Sequence, residues 1–217
     1  MENESAPGFY GKLTSHGDFV ARRLPSSFVA VWDAWLQACM LGSREQLGSG
    51  WLEAYLGAPL WRFALAPGVC DGQAWAGVLS PSVDRVGRHF PLALASATSG
   101  ALALQHWMGE GAGWFEQLEE LALSTLDANF DFERFEAALA AVDGLASESV
   151  QGTAGPCGWH MVLPGVGQAG SAAGAVASVA LFGQSVWWTD GSDKVEPCVR
   201  LCRGLPTPQA FAAMLCG

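Results

Sequence analysis

Between residues 60 and 97 the chain carries three short apolar runs, LWRFALA, AWAGVLS and FPLALASA, divided by segments that hold Gly, Pro and Asp. Continuous apolar runs of this length, bounded by turn residues, read as buried strands. Strands of that kind need helices to cover them. The clearest is SSFVAVWDAWLQACML at 26–41, where Phe28, Val31, Trp32, Trp35, Leu36, Cys39 and Met40 recur at three and four residues. That spacing gives one apolar stripe, and Ser26 or Ser27 is the expected cap.

Further helices are expected over about 44–56, interrupted by Gly48 and Gly50, and over 113–127 and 131–142. FYGKL begins a strand, TSHGDF turns, and 143–158 reads as a loop or boundary. WHMVL is a strand, and SAAGAVASVALF is a small-residue helix or a strand. SVWWTDG and PCVRLCRGL read as a strand pair, and TPQAFAAML as a last helix with Thr207 as cap and Pro208 at its first position. The expected fold class is α/β: a mixed β-sheet flanked by helices, an α/β sandwich in a single domain spanning 9–217 behind a flexible tail at 1–8.

Composition narrows the function. Of 217 residues 50% are hydrophobic and 15% charged, which supports a large core, and the net charge is −10. Phosphate backbones and anionic membrane surfaces repel such a chain, so neither nucleic acid nor a membrane surface is an expected partner. No run of about 18 apolar residues free of Gly and charge would span a bilayer. The start, MENESAPGFYGK, is acidic and polar, unlike a secretion signal. Cys39, Cys70, Cys157, Cys198, Cys202 and Cys216 then read as reduced thiols, and the chain as cytoplasmic. Most of the ten tryptophans are expected to fill the core.

Four constellations carry candidate chemistry. Ser15, His16 and Asp18 are the residue types of a hydrolase triad, but triad members converge from separate places, so a turn braced around Gly17 is the plainer reading. Gly165, Gly167 and Gly170 match the dinucleotide fingerprint, with WHMVL before them and Asp190 about twenty residues beyond. Pro164 and the missing second half-fold argue for a glycine-rich loop. Glu119 and Glu120 read as a solvated helix face. The fourth is SPSVDRVGRHFPL at 80–92, where Asp84, Arg85 and Arg88 stand between two buried strands. An arginine fork recognises carboxylates and phosphates at two points. Either Asp84 clamps a fork internally, or the arginines face a partner; residue types and spacing leave both open. No histidine cluster has metal-ligand spacing, and no cofactor is expected.

The motifs GFYGKLTSHGDFVARRLP at 8–25, W..WL in the first helix, GVLSPSVDRVGRHFPL at 77–92, and SVWWTDGS followed by GLPTPQAFAAML occur in one order. Together they resemble the TagF family (also called ImpM), accessory proteins of bacterial type VI secretion systems, with the variable part at about 100–150. The resemblance implies a non-enzymatic cytoplasmic regulator that represses the apparatus after translation. Its implied partner is the forkhead-associated (FHA) scaffold protein, bound without need of threonine phosphorylation, with inner-membrane or cytoplasmic secretion components as further partners. Some members are fused to a PP2C-type phosphatase, expected here as a separate protein. The arginine loop is then a partner-facing or architecture-fixing element. Asp18, Arg22 and Arg23 form a second candidate surface, expected beside Asp84, Arg85 and Arg88. The rival reading is a nucleotide-binding enzyme using Gly165, Gly167 and Gly170.

Overall fold

The computed structural model describes residues 6–98, 104–109, 111–145, 151–155, 158–162 and 180–217. Seven strands form one sheet: β1 (Gly8–Gly11), β2 (Val20–Arg22), β3 (Trp61–Leu65), β4 (Ala74–Ser80), β5 (Leu92–Thr98), β8 (Gln184–Thr189) and β9 (Cys198–Arg203). Their order is β2-β1-β5-β4-β3-β8-β9. A separate hairpin pairs β6 (Gln151–Gly155) with β7 (Gly158–Val162). The first of these falls where a loop was expected. Ala6 and Gly8, at the end of the expected tail, are buried.

The α/β architecture stands as one sheet with helices on both faces. Within the sheet every pair is antiparallel, where a mixed sheet was expected. The links from β3 to β4 and from β8 to β9 are too short for a crossover helix, so each strand returns beside the last.

Alternation within the strands divides the core. Trp61, Phe63 and Leu65 of β3, with Trp187 of β8, face α1 (Ser26–Leu47), α2 (Trp51–Leu56) and α6 (Pro208–Cys216). Ala64 of β3, with Val186 and Trp188 of β8, faces α4 (Ala112–Ser124) and α5 (Phe132–Ala140), while α3 (Leu104–Trp107) contributes Trp107. Because both faces are covered, the strands read as unbroken apolar runs and not as alternating ones. Seven tryptophans, 32, 51, 61, 75, 107, 187 and 188, are buried, as a core role requires.

Local details depart from expectation in informative ways. The first helix runs on to Leu47, where a 3-10 turn at Gly48–Gly50 leads into α2. No serine caps it: Pro25 holds the cap position, and Ser27 donates to Asp71 Oδ2 at 3.1 Å. Thr207 does cap α6, accepting from the Ala210 amide at 3.2 Å. Gly77 is fixed by space, since a Cβ there would lie 2.1 Å from the Leu94 carbonyl oxygen. The register brings the end of β1, the end of β4 and the start of β5 together at one end of these neighbouring strands. The turn after β1 and the β4–β5 connection therefore meet.

Candidate functional site

The β4–β5 connection is pinned before it displays anything. Tyr55, on α2, donates its hydroxyl to the Ser82 carbonyl and accepts from the Ser82 amide, each at 2.9 Å. Ser82 Oγ donates to the Lys12 carbonyl at 2.7 Å, and the Phe90 amide donates to the Ser82 carbonyl at 3.1 Å. Val83 and His89 bridge, and Gly87 supplies the left-handed residue (φ 84°) that closes the tip.

Asp84 sits inside this loop with its side chain fully buried. Its Oδ2 accepts from Lys12 Nζ at 2.8 Å and from Arg88 Nε at 2.6 Å. Its Oδ1 accepts from the amides of Val86 at 3.0 Å and Arg88 at 2.9 Å. Burial alone would push this carboxyl up. The Lys12 ammonium, the Arg88 amide and guanidinium, and the Val86 amide outweigh it and hold the group well below the usual carboxylate range. Asp84 is thus an internal brace and presents no oxygen outward.

The turn after β1 lies against the loop. The Arg85 amide donates to the His16 carbonyl at 3.0 Å, and Arg88 Nη2 donates to the Gly17 carbonyl. Phe19 stacks on Tyr10 (centroids 5.8 Å apart) and meets Phe90 edge-on at 4.8 Å, while Lys12 Nζ lies 5.1 Å from its ring centre. The triad residues do not assemble. Ser15 Oγ and His16 Nδ1 are 2.8 Å apart, but Asp18 accepts from the Phe19 amide at 2.8 Å and the His16 ring packs on Phe132. Among the described residues nothing orients His16 from its other nitrogen.

The six candidate residues therefore separate by role. Arg23, at φ 55°, donates to the Pro7 carbonyl at 2.9 Å and pairs with Glu136 of α5. Arg88 is tied to Asp84 and Gly17, yet its side chain is 59% exposed. Among the described residues Arg22 bonds only the carbonyl of Ala21, at 2.9 Å. Arg85 is exposed, and its guanidinium has no partner among the described residues. Asp18, on the turn after β1, is exposed as well. Arg22, Arg85, Arg88 and Asp18 form the outward set.

Sequence reasoning missed Lys12, Tyr55 and Ser82, whose polar roles arise only across 72 and 27 residues of chain. It also misread Glu119. That carboxylate grips Arg62 of β3 at two points, 2.7 and 2.8 Å, and Asp190 accepts from the same guanidinium at 2.8 Å. Gly165, Gly167 and Gly170 lie outside the described residues. Among the described residues no three His, Cys, Asp or Glu side chains gather as a metal site, and no helix is long and apolar enough to cross a membrane.

The sequence profile described as "TagF N-terminal domain, Type VI secretion system-associated" matches residues 8–142. The chain belongs to the TagF family. Among solved structures it is similar to PA0076 from Pseudomonas aeruginosa PAO1, at 42% identity and a TM-score of 0.88, over 98% of this chain and 94% of that one. No curated protein sequence matches. Both the loop and the turn beside it lie within the stretch that the TagF profile covers.

Proposed function

We propose that this TagF-family chain is a non-enzymatic, post-translational repressor of a type VI secretion system, acting in the cytoplasm by binding the FHA-domain scaffold protein. Family membership supports the setting. The observation that carries the binding mode is Arg85, a guanidinium without a partner among the described residues, on a loop braced from inside by Asp84. A rigid loop loses little conformational freedom when a partner docks, so the arginine binds at lower entropic cost than one on a mobile tail. Arg88 extends the same loop surface, and Asp18 and Arg22 are further exposed candidates on the turn and strand after β1.

The test is calorimetric titration of the chain against the FHA-domain scaffold protein of a type VI secretion system, unphosphorylated and threonine-phosphorylated. The reading expects micromolar or tighter binding to both forms. Silence with both forms refutes it, and binding confined to the phosphorylated form replaces it with a phosphate-dependent mechanism.

A further inference from the structure

A groove opens where the 3-10 turn joins α1 to α2, on the far side of His89 from the arginine loop. It is shallow and open to solvent, about 390 Å³ in volume, between Arg44, Trp51, Leu52 and His89. Arg44 lies in the last turn of α1, where a cation complements the helix C-terminus. Its guanidinium carbon stands 4.2 Å from the centre of the Trp51 ring. Stacking fixes the plane of the fork while its hydrogen-bond donors stay free, since no acid among the described residues pairs with Arg44. Trp51 is itself held: its indole N–H donates to Ser43 Oγ at 2.9 Å, and its ring is stacked on Tyr55. Leu52 is 46% exposed and Leu56, one turn on, is 61% exposed. The His89 ring meets Trp51 and Tyr55 edge-on at 5.8 and 5.6 Å, which joins the groove wall to the arginine loop.

Charge distinguishes this face in an acidic protein. Lys12 and Arg88 pair with the Asp84 carboxylate, while Arg44 and Arg85 stand exposed without a carboxylate partner among the described residues, in a chain of net charge −10. Burial pushes the His89 imidazole down, and Arg44 pushes it further, so His89 is uncharged at neutral pH. The groove thus combines one oriented cation with an apolar floor. An acidic side chain would satisfy Arg44 at two points, and a neighbouring aliphatic one would cover the exposed Leu52 and Leu56.

We infer that the Arg44–Trp51–Leu52 groove is a docking site for an acidic peptide segment of a protein partner, one that alternates carboxylates with aliphatic residues. This deepens the proposed function, on which it rests only for the identity of that partner. Arg85 and Arg88 then meet the same segment or its flank beyond His89.

The probe is a short labelled peptide of alternating Asp, Leu and Glu, read by fluorescence anisotropy and by the indole N–H signals of the 15N-labelled chain. The expected result is saturable binding that moves the Trp51 signal, weakens with salt, and falls about tenfold or more in Arg44→Glu. Leu52→Ser is expected to weaken it as well. Arg44 is exposed, so its variant keeps the fold, which the unchanged signals of the other tryptophans verify. No binding overturns the inference. So does binding that Arg44→Glu leaves unchanged, equal binding of a version with Lys for every acid, or an equal response to inorganic phosphate alone. Titrating the FHA-domain protein in parallel keeps the two proposals apart. If it binds wild type and Arg44→Glu alike, the groove assignment alone falls. If the peptide binds and the FHA-domain protein does not, the groove stands and the partner assignment falls.

Discussion

Asp84→Asn isolates the brace from the surface it supports. The substitution keeps the shape of the side chain and removes its charge. Asp84 is fully buried and Lys12 has only 7% of its side chain exposed, so the variant leaves a buried ammonium facing a neutral amide. Breaking a buried, hydrogen-bonded pair from one side costs about 3–5 kcal/mol, because the remaining charge keeps its desolvation penalty. For a chain of this size that lowers Tm by roughly 6–20 °C, at about 2–4 °C per kcal/mol. Urea unfolding followed by circular dichroism reads the loss directly as a lower midpoint. The difference depends on pH with a definite sign. The Asp84 carboxyl titrates below its ordinary value in the folded chain, so its contribution is fully present above about pH 4 and is lost as pH falls through the lowered folded value. Wild type and variant should converge in acid. A loss under about 1 kcal/mol at pH 7, well short of the cost of an orphaned buried charge, would show that Asp84 does not brace the loop and refute the reasoning.

Other sites give sharper contrasts. Glu119→Ala leaves Arg62, 8% exposed, with Asp190 as its remaining carboxylate bond; a destabilisation of about 3 kcal/mol is expected in the same urea titration. Gly77→Ala places a methyl 2.1 Å from the Leu94 carbonyl in mid-sheet, so soluble folded protein should not be recovered, and gel filtration reads the outcome. Thr207→Ala removes the α6 cap and should cost about 1 kcal/mol, with no change in partner affinity.

The legible part of the fold was its burial pattern. The runs at 60–97 read as strands because both sheet faces are covered, and the stripe through Phe28, Trp32 and Leu36 read as a helix because one face is. Strand direction was not legible, since an apolar run looks the same in parallel and antiparallel pairs. The serine cap failed for a tertiary reason: Asp71, from the β3–β4 connection, takes the Ser27 hydroxyl. At the site, Asp84, Arg85 and Arg88 stood out as charge between buried strands. Which of them turns inward depended on Lys12, 72 residues away in the chain, and on Tyr55 holding Ser82. Glu119 shows the same limit. A helix carboxylate facing water and one facing a buried guanidinium share the same local sequence, and the groove at Trp51 exists only because α1, α2 and His89 converge.

The central claim is that Asp84 holds the loop from within so that Arg85 can meet the FHA-domain partner. The most direct measurement is the calorimetric affinity of Arg85→Glu for that protein beside wild type, with Tm recorded for both. The account predicts an unchanged Tm and an affinity reduced by about tenfold or more, as for an arginine at the heart of an interface. An unchanged affinity in a folded variant, or a Tm that collapses, would contradict it.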